Sequence, residues 1–477
     1  MNTLDVIQLP LELQQVLSAE QAWHYGIIPK SSESDSLAFF VDEGKLSVEL
    51  QQELEILFGK DIFLEPLSTD AVKQALSTYY RKDFEKEEGL ALKRIKHSDF
   101  LAELISEARR LGSSDIHLES YEEKSRVRFR IDGQLVERYS IDSQEYPALI
   151  NKIKIRANLD ISEKRLPQDG RIHFQDHSDK FDIRVSALPT LHGEKIVLRL
   201  LHSNAAIIDI EKVGFSESQL KSYLHGIKKP HGIVLISGPT GSGKTTTLYA
   251  TLKILNKKTS NILTIEDPIE YTLEGINQVQ LKEAIGLSFA SALRTFLRQD
   301  PDIIMVGEIR DTETAKMAVR AALTGHLVLS TIHTNSAWGI VSRLADLEVP
   351  PFLIAGILNL AVAQRLLRTL CPNCKKKAPL GKEELPRNFL SPFTLNEVYK
   401  PVGCEQCYYT GYKGRRAIYE VISIGEDLAE KIRNRDFTPS GVFELQDSKS
   451  LRDNAFSLLA EGYTSLDEVY PVLSSGL

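Results

Sequence analysis

Cysteine is scarce. Four occur in 477 residues, and all lie between positions 371 and 407. A disulfide-stapled secreted scaffold is excluded, because such chains carry cysteine throughout. Positive charge is not in excess. The 58 lysines and arginines are outnumbered by 65 aspartates and glutamates, for a net charge of −7. A chain whose main partner is nucleic acid is usually more basic, so no nucleic-acid partner is expected. Long apolar runs are missing too. The most apolar stretch, Phe352–Ala363 (FLIAGILNLAVA), contains Asn359 and falls short of the roughly 20 residues that span a bilayer. It reads as a buried core helix. The segment Met1–Ile7 has neither a basic start nor an apolar body, which predicts no export signal and a reducing compartment. No internal repeat or low-complexity tract appears. What remains, 42% hydrophobic and 26% charged residues, suits about three globular domains.

Residues 1–80 mix helix-like and strand-like text. Leu13, Val16 and Leu17 share a helical face, Leu37–Val41 reads as a buried strand, and Val48–Leu57 as an amphipathic helix. No catalytic motif occurs there, which predicts a partner-docking domain. Residues 81–96 are dense in both charges and read as a linker. A second domain is expected over 97–206. Ser98 is a candidate N-cap, Phe100 to Leu111 form one apolar stripe, and Gly112 closes the helix. Alternating segments at Asp115–Glu119, Arg126–Gly133, Phe181–Ala187 and from Ile196 then predict a mainly antiparallel sheet. From 207 to 477, short apolar strands alternate with helices, as in an open parallel sheet.

The chemistry concentrates in that third domain. His231–Ser237 reads as a buried strand, followed by Gly238-Pro239-Thr240-Gly241-Ser242-Gly243-Lys244-Thr245-Thr246 and a helix. This is G-x-x-x-x-G-K-[ST] in its strand–loop–helix context. Glycines let backbone N–H groups close on phosphate oxygens, and the helix N-terminus adds its positive dipole end. Lys244 is expected on the β and γ phosphates, and Thr245 on Mg²⁺. Asp302–Glu308 supplies a buried strand that ends in a carboxylate, the candidate acceptor of a proton from the attacking water. The usual aspartate directly after the apolar run is replaced by Gly307. Asn261–Glu270 ends in three carboxylates around Pro268, of which Glu266 or Glu270 is expected to hold Mg²⁺ through water. Gly325–Asn335 is a strand bracketed by His326 and His333, and His333 is expected to sense the γ-phosphate. Strand ends of one parallel sheet converge at its carboxyl edge, where ligands bind.

Cys371-Pro-Asn-Cys374 and Cys404-Glu-Gln-Cys407 form two C-x₂-C knuckles about 29 residues apart. Four thiolates so spaced suit a closed tetrahedral Zn²⁺ site. The module, about 368–415, is locally basic: Arg365, Arg368, Lys375–Lys377, Lys413, Arg415 and Arg416. Contact with an anionic leaflet is one expectation for it.

Taken in order, GPTGSGKTTTLY, LTIEDPIEY, RQDPDIIMVGEIRD and LTGHLVLSTIHTN resemble the Walker A, aspartate, Walker B and histidine boxes of the secretion ATPase superfamily. The likeness runs from about residue 95 past 410. It is greatest to the group of type II secretion and type IV pilus assembly ATPases, whose second-domain text also appears here as Ser162–Arg171 and Arg184–Glu194. The resemblance implies an α/β multidomain chain: a small N-terminal α+β domain, a PAS-like α+β second domain, and a RecA-like parallel-sheet ATPase domain with an inserted zinc module. It implies a homo-hexamer, cytoplasmic and peripheral at the inner membrane face, docking a secretion platform through its N-terminal domain. It also implies transition-state arginines, with Arg184, Arg199, Arg294, Arg298 and Arg310 as candidates. Export ATPases of this branch carry the cysteine module, while retraction ATPases generally lack it.

The expected function is therefore ATP hydrolysis that powers pseudopilus assembly and type II export. Pilus extension is the alternative, less favoured because only about 90 residues precede the second domain. A P-loop nucleic-acid translocase disagrees with the acidic charge, and a nucleotide-gated scaffold with little turnover disagrees with the pairing of Lys244 and Glu308.

Overall fold

The computed structural model describes residues 9–10, 13, 16–33, 36–80, 100–122, 124–176, 179–200, 209–387, 389–443 and 448–474. The expected linker over 81–96 and the Ser98 cap lie outside the described residues, as does much of the helix expected around Leu13. The chain divides into two compact units. One runs through Leu200 and includes the cysteine segments Cys371–Lys376 and Pro401–Tyr412; the other holds the rest.

The first unit contains two sheets. β1 (Ile27–Ser32), β2 (Ser36–Asp42) and β3 (Asp61–Leu67) form the smaller, in the order β1-β2-β3. Alternation along β2 buries Leu37, Phe39 and Val41 on one face, where the helices Val48–Phe58 and Thr69–Tyr79 supply Leu54, Val72 and Leu76. The larger sheet comprises β4 (Asp115–Ser120), β5 (Ser125–Ile131), β6 (Gln134–Ile141), β7 (Gln168–Asp176), β8 (Asp179–Thr190) and β9 (Gly193–Leu200), ordered β6-β5-β4-β9-β8-β7. Its strands pair antiparallel, as the alternating text predicts. The helix Phe100–Arg110 lays Leu101, Leu104, Ile105 and Ala108 on this sheet, and Gly112 (φ 65°) closes it in the left-handed region.

The second unit is built on a seven-stranded sheet. Its strands are β10 (Gly232–Ser237), β11 (Ile262–Glu266), β12 (Asn277–Gln280), β13 (Ile303–Val306), β14 (Leu327–Ile332), β15 (Leu358–Leu370) and β18 (Tyr412–Ser423). They are ordered β12-β11-β13-β14-β10-β15-β18, with a separate β16–β17 ribbon of Lys376–Pro379 and Glu397–Lys400. The pairings from β12 across to β15 are parallel. β10 is buried at every position: Ile233 and Leu235 enter one core, Val234 and Ile236 the other. A parallel strand covered on both faces needs such an unbroken apolar run.

One expectation is corrected. Phe352–Ala363 is not a single buried helix. The helix Pro351–Ile357 ends and Leu358 opens β15. Short apolar runs do not distinguish helix from strand by periodicity, and here the edge of β10 is the partner that decides, pairing Val234 with Leu360 and Ser237 with Ala363.

The helix Glu217–Ile227 packs on β15 through Gly226, where a methyl group would run into the buried Leu360 side chain. Gly226→Ala is expected to destabilise this unit by about 1–3 kcal/mol, the usual cost of overpacking, read as a lowered denaturant midpoint.

Candidate functional site

β10 ends at Ser237 and the chain turns through Gly238 (φ 147°), Pro239, Thr240, Gly241 (φ 80°), Ser242 and Gly243 (φ 88°) before the helix Lys244–Leu255. These backbone angles suit glycine alone. At Gly238 a Cβ would also sit 2.5 Å from the Gln364 carbonyl oxygen. The loop is therefore pressed against β15. Gln364, itself buried, donates from Nε2 to the Ser242 carbonyl at 2.8 Å and accepts from the Thr247 hydroxyl at 2.9 Å. Lys244 Nζ donates to the Gly238 and Pro239 carbonyls at 2.8 and 3.0 Å. Burial pushes its pKa down, and the Glu308 carboxylate opposes that shift. Thr245 and Thr246 stand in the first helical turn, with Thr245 exposed.

Glu308 follows β13 and is held from both sides. The Gly307 N–H bonds the Ile265 carbonyl at 2.8 Å, the Thr331 hydroxyl donates to the Gly307 carbonyl at 2.7 Å, and the Ile309 N–H bonds the Thr331 carbonyl at 2.9 Å. The Glu308 carboxylate pairs with Arg310 and lies 3.4 Å from His333 Nε2. Arg310 also stands 4.0 Å from Asp267, and its hydrogen bond to Glu308 raises its pKa. Glu308, Arg310 and His333 are thus brought together, with the Lys244 charge in reach of Glu308. His326 is not part of this group: its Nδ1 faces the Ala321 carbonyl and the Thr324 hydroxyl.

Glu266 is placed differently from expectation. It is buried, and its carboxylate accepts from the Tyr249 hydroxyl, the Thr264 hydroxyl at 2.6 Å and Gln278 Nε2 at 3.0 Å. Three donors commit it as an anchor of β11 rather than a free acceptor for metal-bound water. The Glu270 N–H donates to the same Tyr249 hydroxyl at 3.3 Å. Burial and Glu266 together raise the Tyr249 pKa, which keeps it a donor. Tyr249, Gln278, Thr331 and Gln364 are site-building residues that sequence reasoning missed, because no local motif marks them.

The other four candidate arginines are held in other contacts or belong to the first unit. Arg294 pairs with Glu313, and Arg298 Nη1 donates to the Arg294 carbonyl at 2.9 Å. Arg184 and Arg199 belong to the first unit, where the register sets Arg171, Arg184 and Arg199 directly opposite one another across β7, β8 and β9. Asp115 takes the Arg199 Nε at 2.9 Å.

The four cysteines meet within the first unit, their sulfurs all within 4.8 Å of one another. Cys371–Cys404, Cys374–Cys407 and Cys404–Cys407 separations are 3.8, 3.7 and 3.7 Å. Disulfides need about 2.05 Å. A tetrahedron of thiolates with metal–sulfur bonds of about 2.3 Å has edges of about 3.8 Å, so the donor set fits a metal ion. Backbone N–H groups of Gly403, Cys404 and Gly411 point at these sulfurs at 3.2–3.3 Å. Beside them, Tyr408 lies under the Arg138 guanidinium and Tyr409 meets the edge of Trp23. The basic patch is smaller than the sequence implies. Arg368 is locked to Glu468, and Arg365 turns to main-chain carbonyls of the second unit.

A glycine loop between a buried parallel strand and a helix, with a clamped glutamate at the end of the strand two places away in the same sheet, defines a P-loop ATPase. The model of the Type II/IV secretion system protein family matches residues 93–471, and the chain belongs to that family. It is 42% identical over 440 residues to the type II secretion system protein E of Pseudomonas aeruginosa, covering 87% of this chain and 88% of that one. It is 44% identical to the type II secretion system ATPase E of Vibrio cholerae, over 77% and 74% of the two chains. The type IV pilus assembly ATPase PilB of Myxococcus xanthus is 48% identical over 77% of this chain and 66% of its own length. Among solved structures, the fold is similar to that of the Legionella pneumophila ATPase DotB, with a TM-score of 0.61, 21% identity and coverage of 79% and 96%. The chain is an ATP hydrolase of the type II secretion class.

Glu308→Gln is expected to lower steady-state phosphate release by about 10²–10⁴-fold, the usual contribution of a general base, while a fluorescent ATP analogue still binds. Loss of analogue binding as well would assign Glu308 a structural role. Cys404→Ser is expected to release the metal measured by elemental analysis of the purified chain, leaving the Lys244 loop able to bind nucleotide.

Proposed function

We propose that the chain is the motor of a type II secretion system, hydrolysing ATP in a homo-hexameric ring to drive pseudopilus assembly. The observation that carries this reading is the convergence of Lys244, Glu308 and His333 at one sheet edge, in a chain that matches the Pseudomonas protein E over 87% of its length. Pilus extension is the second reading, favoured by the identity to PilB. The likeness to the Pseudomonas protein E reaches further along both chains, which ranks secretion first.

In this reading ATP and Mg²⁺ sit on the loop Gly238–Thr246. Lys244 holds the phosphates and Thr245 reaches the metal. Glu308 takes the proton of the attacking water once Arg310 and His333 release its carboxylate, and His333 turns to the γ-phosphate. Glu270 takes the role of water-mediated metal partner, since Glu266 is committed inward. The arginine row of Arg184 and Arg199, with Arg294 and Arg298 on the second unit, completes the site of a neighbouring copy. Zn²⁺ occupies the tetracysteine cluster as a structural ion. The PAS-like sheet of the second domain carries the arginine row, and the N-terminal sheet docks the inner-membrane platform from the cytoplasmic face. Among the described residues no helix is long and apolar enough to cross a membrane. Lys375–Lys377 supply the lipid-facing charge.

The test is ATP turnover per chain against protein concentration, with and without anionic vesicles or duplex DNA. Turnover should rise with concentration, rise again with vesicles, and ignore DNA. A flat specific activity counts against completion by a neighbour, and strong stimulation by DNA overturns the secretion reading. Neutralising Lys375–Lys377 should weaken vesicle binding without changing turnover in solution.

A further inference from the structure

Arg365 stands among basic residues in the sequence but not in the fold. β15 runs parallel to β10 with Ser237 opposite Ala363, so the two residues after Ala363 lie alongside the first residues of the P-loop. Gln364 uses that position to hold the Ser242 carbonyl. Arg365 uses it differently. Its Nη1 donates to the Gln364 carbonyl at 3.0 Å and stands 3.3 Å from the place a Cβ on Gly238 would occupy. Its Nη2 reaches the Asn335 carbonyl at 2.8 Å, two residues beyond His333. β14, β10 and β15 are consecutive in the sheet, so one guanidinium spans the end of the middle strand and joins the loops on either side.

The charge of this group is unusual. Its two side-chain bonds go to neutral carbonyls, and among the described residues no carboxylate lies within ion-pair distance. Glu420 acts on it only from a distance, because its own oxygens are taken by the N–H groups of Ala337 and Leu451 at 2.7 and 3.2 Å. Burial lowers the Arg365 pKa, and the Arg365 charge in turn lowers that of Lys244. Two partly desolvated cations therefore face one loop. Glu308, the nearby acid, is occupied by Arg310 and His333. A desolvated charge without a partner costs several kcal/mol in general, so a fold retains one where an anion arrives.

We propose that Arg365 is a positioning residue of the nucleotide site, strapping the mouth of the P-loop to the loop that carries His333, with its charge balanced by the bound polyphosphate. The strap makes closure of the His333 loop depend on the phosphate loop being filled. This deepens the ATPase reading and rests on it.

The experiment measures the affinity of a fluorescent, non-hydrolysable ATP analogue with Mg²⁺, together with kcat and KM, for the wild-type full chain, Arg365→Gln, Arg365→Lys and Arg368→Gln. Arg365→Gln should weaken the analogue by about tenfold or more, the scale of a lost charge-assisted interaction, and raise KM accordingly. Arg365→Lys keeps the charge but cannot fork to two carbonyls. It should bind within about threefold of wild type while kcat still falls about tenfold. Arg368→Gln, which removes the pair with Glu468 on the other side of the strand, should lower thermal stability and leave KM in place. Wild-type affinity and KM in Arg365→Gln, with loss confined to the melting temperature, would overturn the proposal. So would an unchanged kcat in Arg365→Lys, which also decides the matter if the glutamine variant does not fold. Failure of the wild type to bind the analogue would instead remove the ATPase reading.

Discussion

Parallel register around β10 is the constraint on which the site depends. In a parallel sheet every strand arrives at the same edge, so whatever follows each strand end is delivered to one line. Ser237 is opposite both Ile332 and Ala363, which fixes Gly238, His333 and Gln364 at the same level. Val306 is opposite Ile265 and Ser330, which brings Gly307 and Glu308 level with Glu266 and Thr331. A slip of one residue in β10 would exchange the sets facing its two cores, Ile233 and Leu235 against Val234 and Ile236. The hydrophobic effect thus sets the register, and the register sets the chemistry.

Polar groups then fix what the register only approximates. The Thr331 hydroxyl on Gly307, the three donors on Glu266 and the Gln364 amide on Ser242 are bonds from side chains to strand ends and loop backbone. Together they tie strand ends and the glycine loop to the residues beside them at the point where the ladder stops. Removing a partner from such a buried group leaves a donor or acceptor unsatisfied, at a cost of about 1–3 kcal/mol. That cost is paid in loop order as much as in global stability. A glycine loop has little order of its own, since glycine gives up the most backbone freedom on folding.

The sequence disclosed those features whose residues are close together in the chain. The P-loop spans Gly238–Thr245 and each knuckle spans four positions, so both are visible as spacing. Turn glycines at positive φ and the strand before them are local too. What escaped is non-local. Gln364 meets Ser242 across 122 positions, and the Glu266 cluster draws on Tyr249 and Gln278 from another helix and another strand. Charge was misread for the same reason. Arg365 and Arg368 look like part of one basic run, yet successive side chains of a strand point to opposite faces. One turns to Asn335 and the other to Glu468. Helix and strand text in Phe352–Ala363 could not be divided without β10 beside it.

The same strand that positions the phosphate loop also leads into the cysteine module, since β15 ends at Leu370 and Cys371 follows. That continuity bears on how the module acts. A tetrathiolate site closes a loop of about 30 residues and removes its freedom, which stabilises without touching ATP. β15, which leads into it, is committed by Arg368 to Glu468 and by Gln364 to the P-loop. The Tyr408 and Tyr409 side chains beside the cysteines are committed in turn to Arg138 and Trp23. The module is thus held within the first unit by its tyrosines, although its chain runs on directly from the strand on which the nucleotide loop rests.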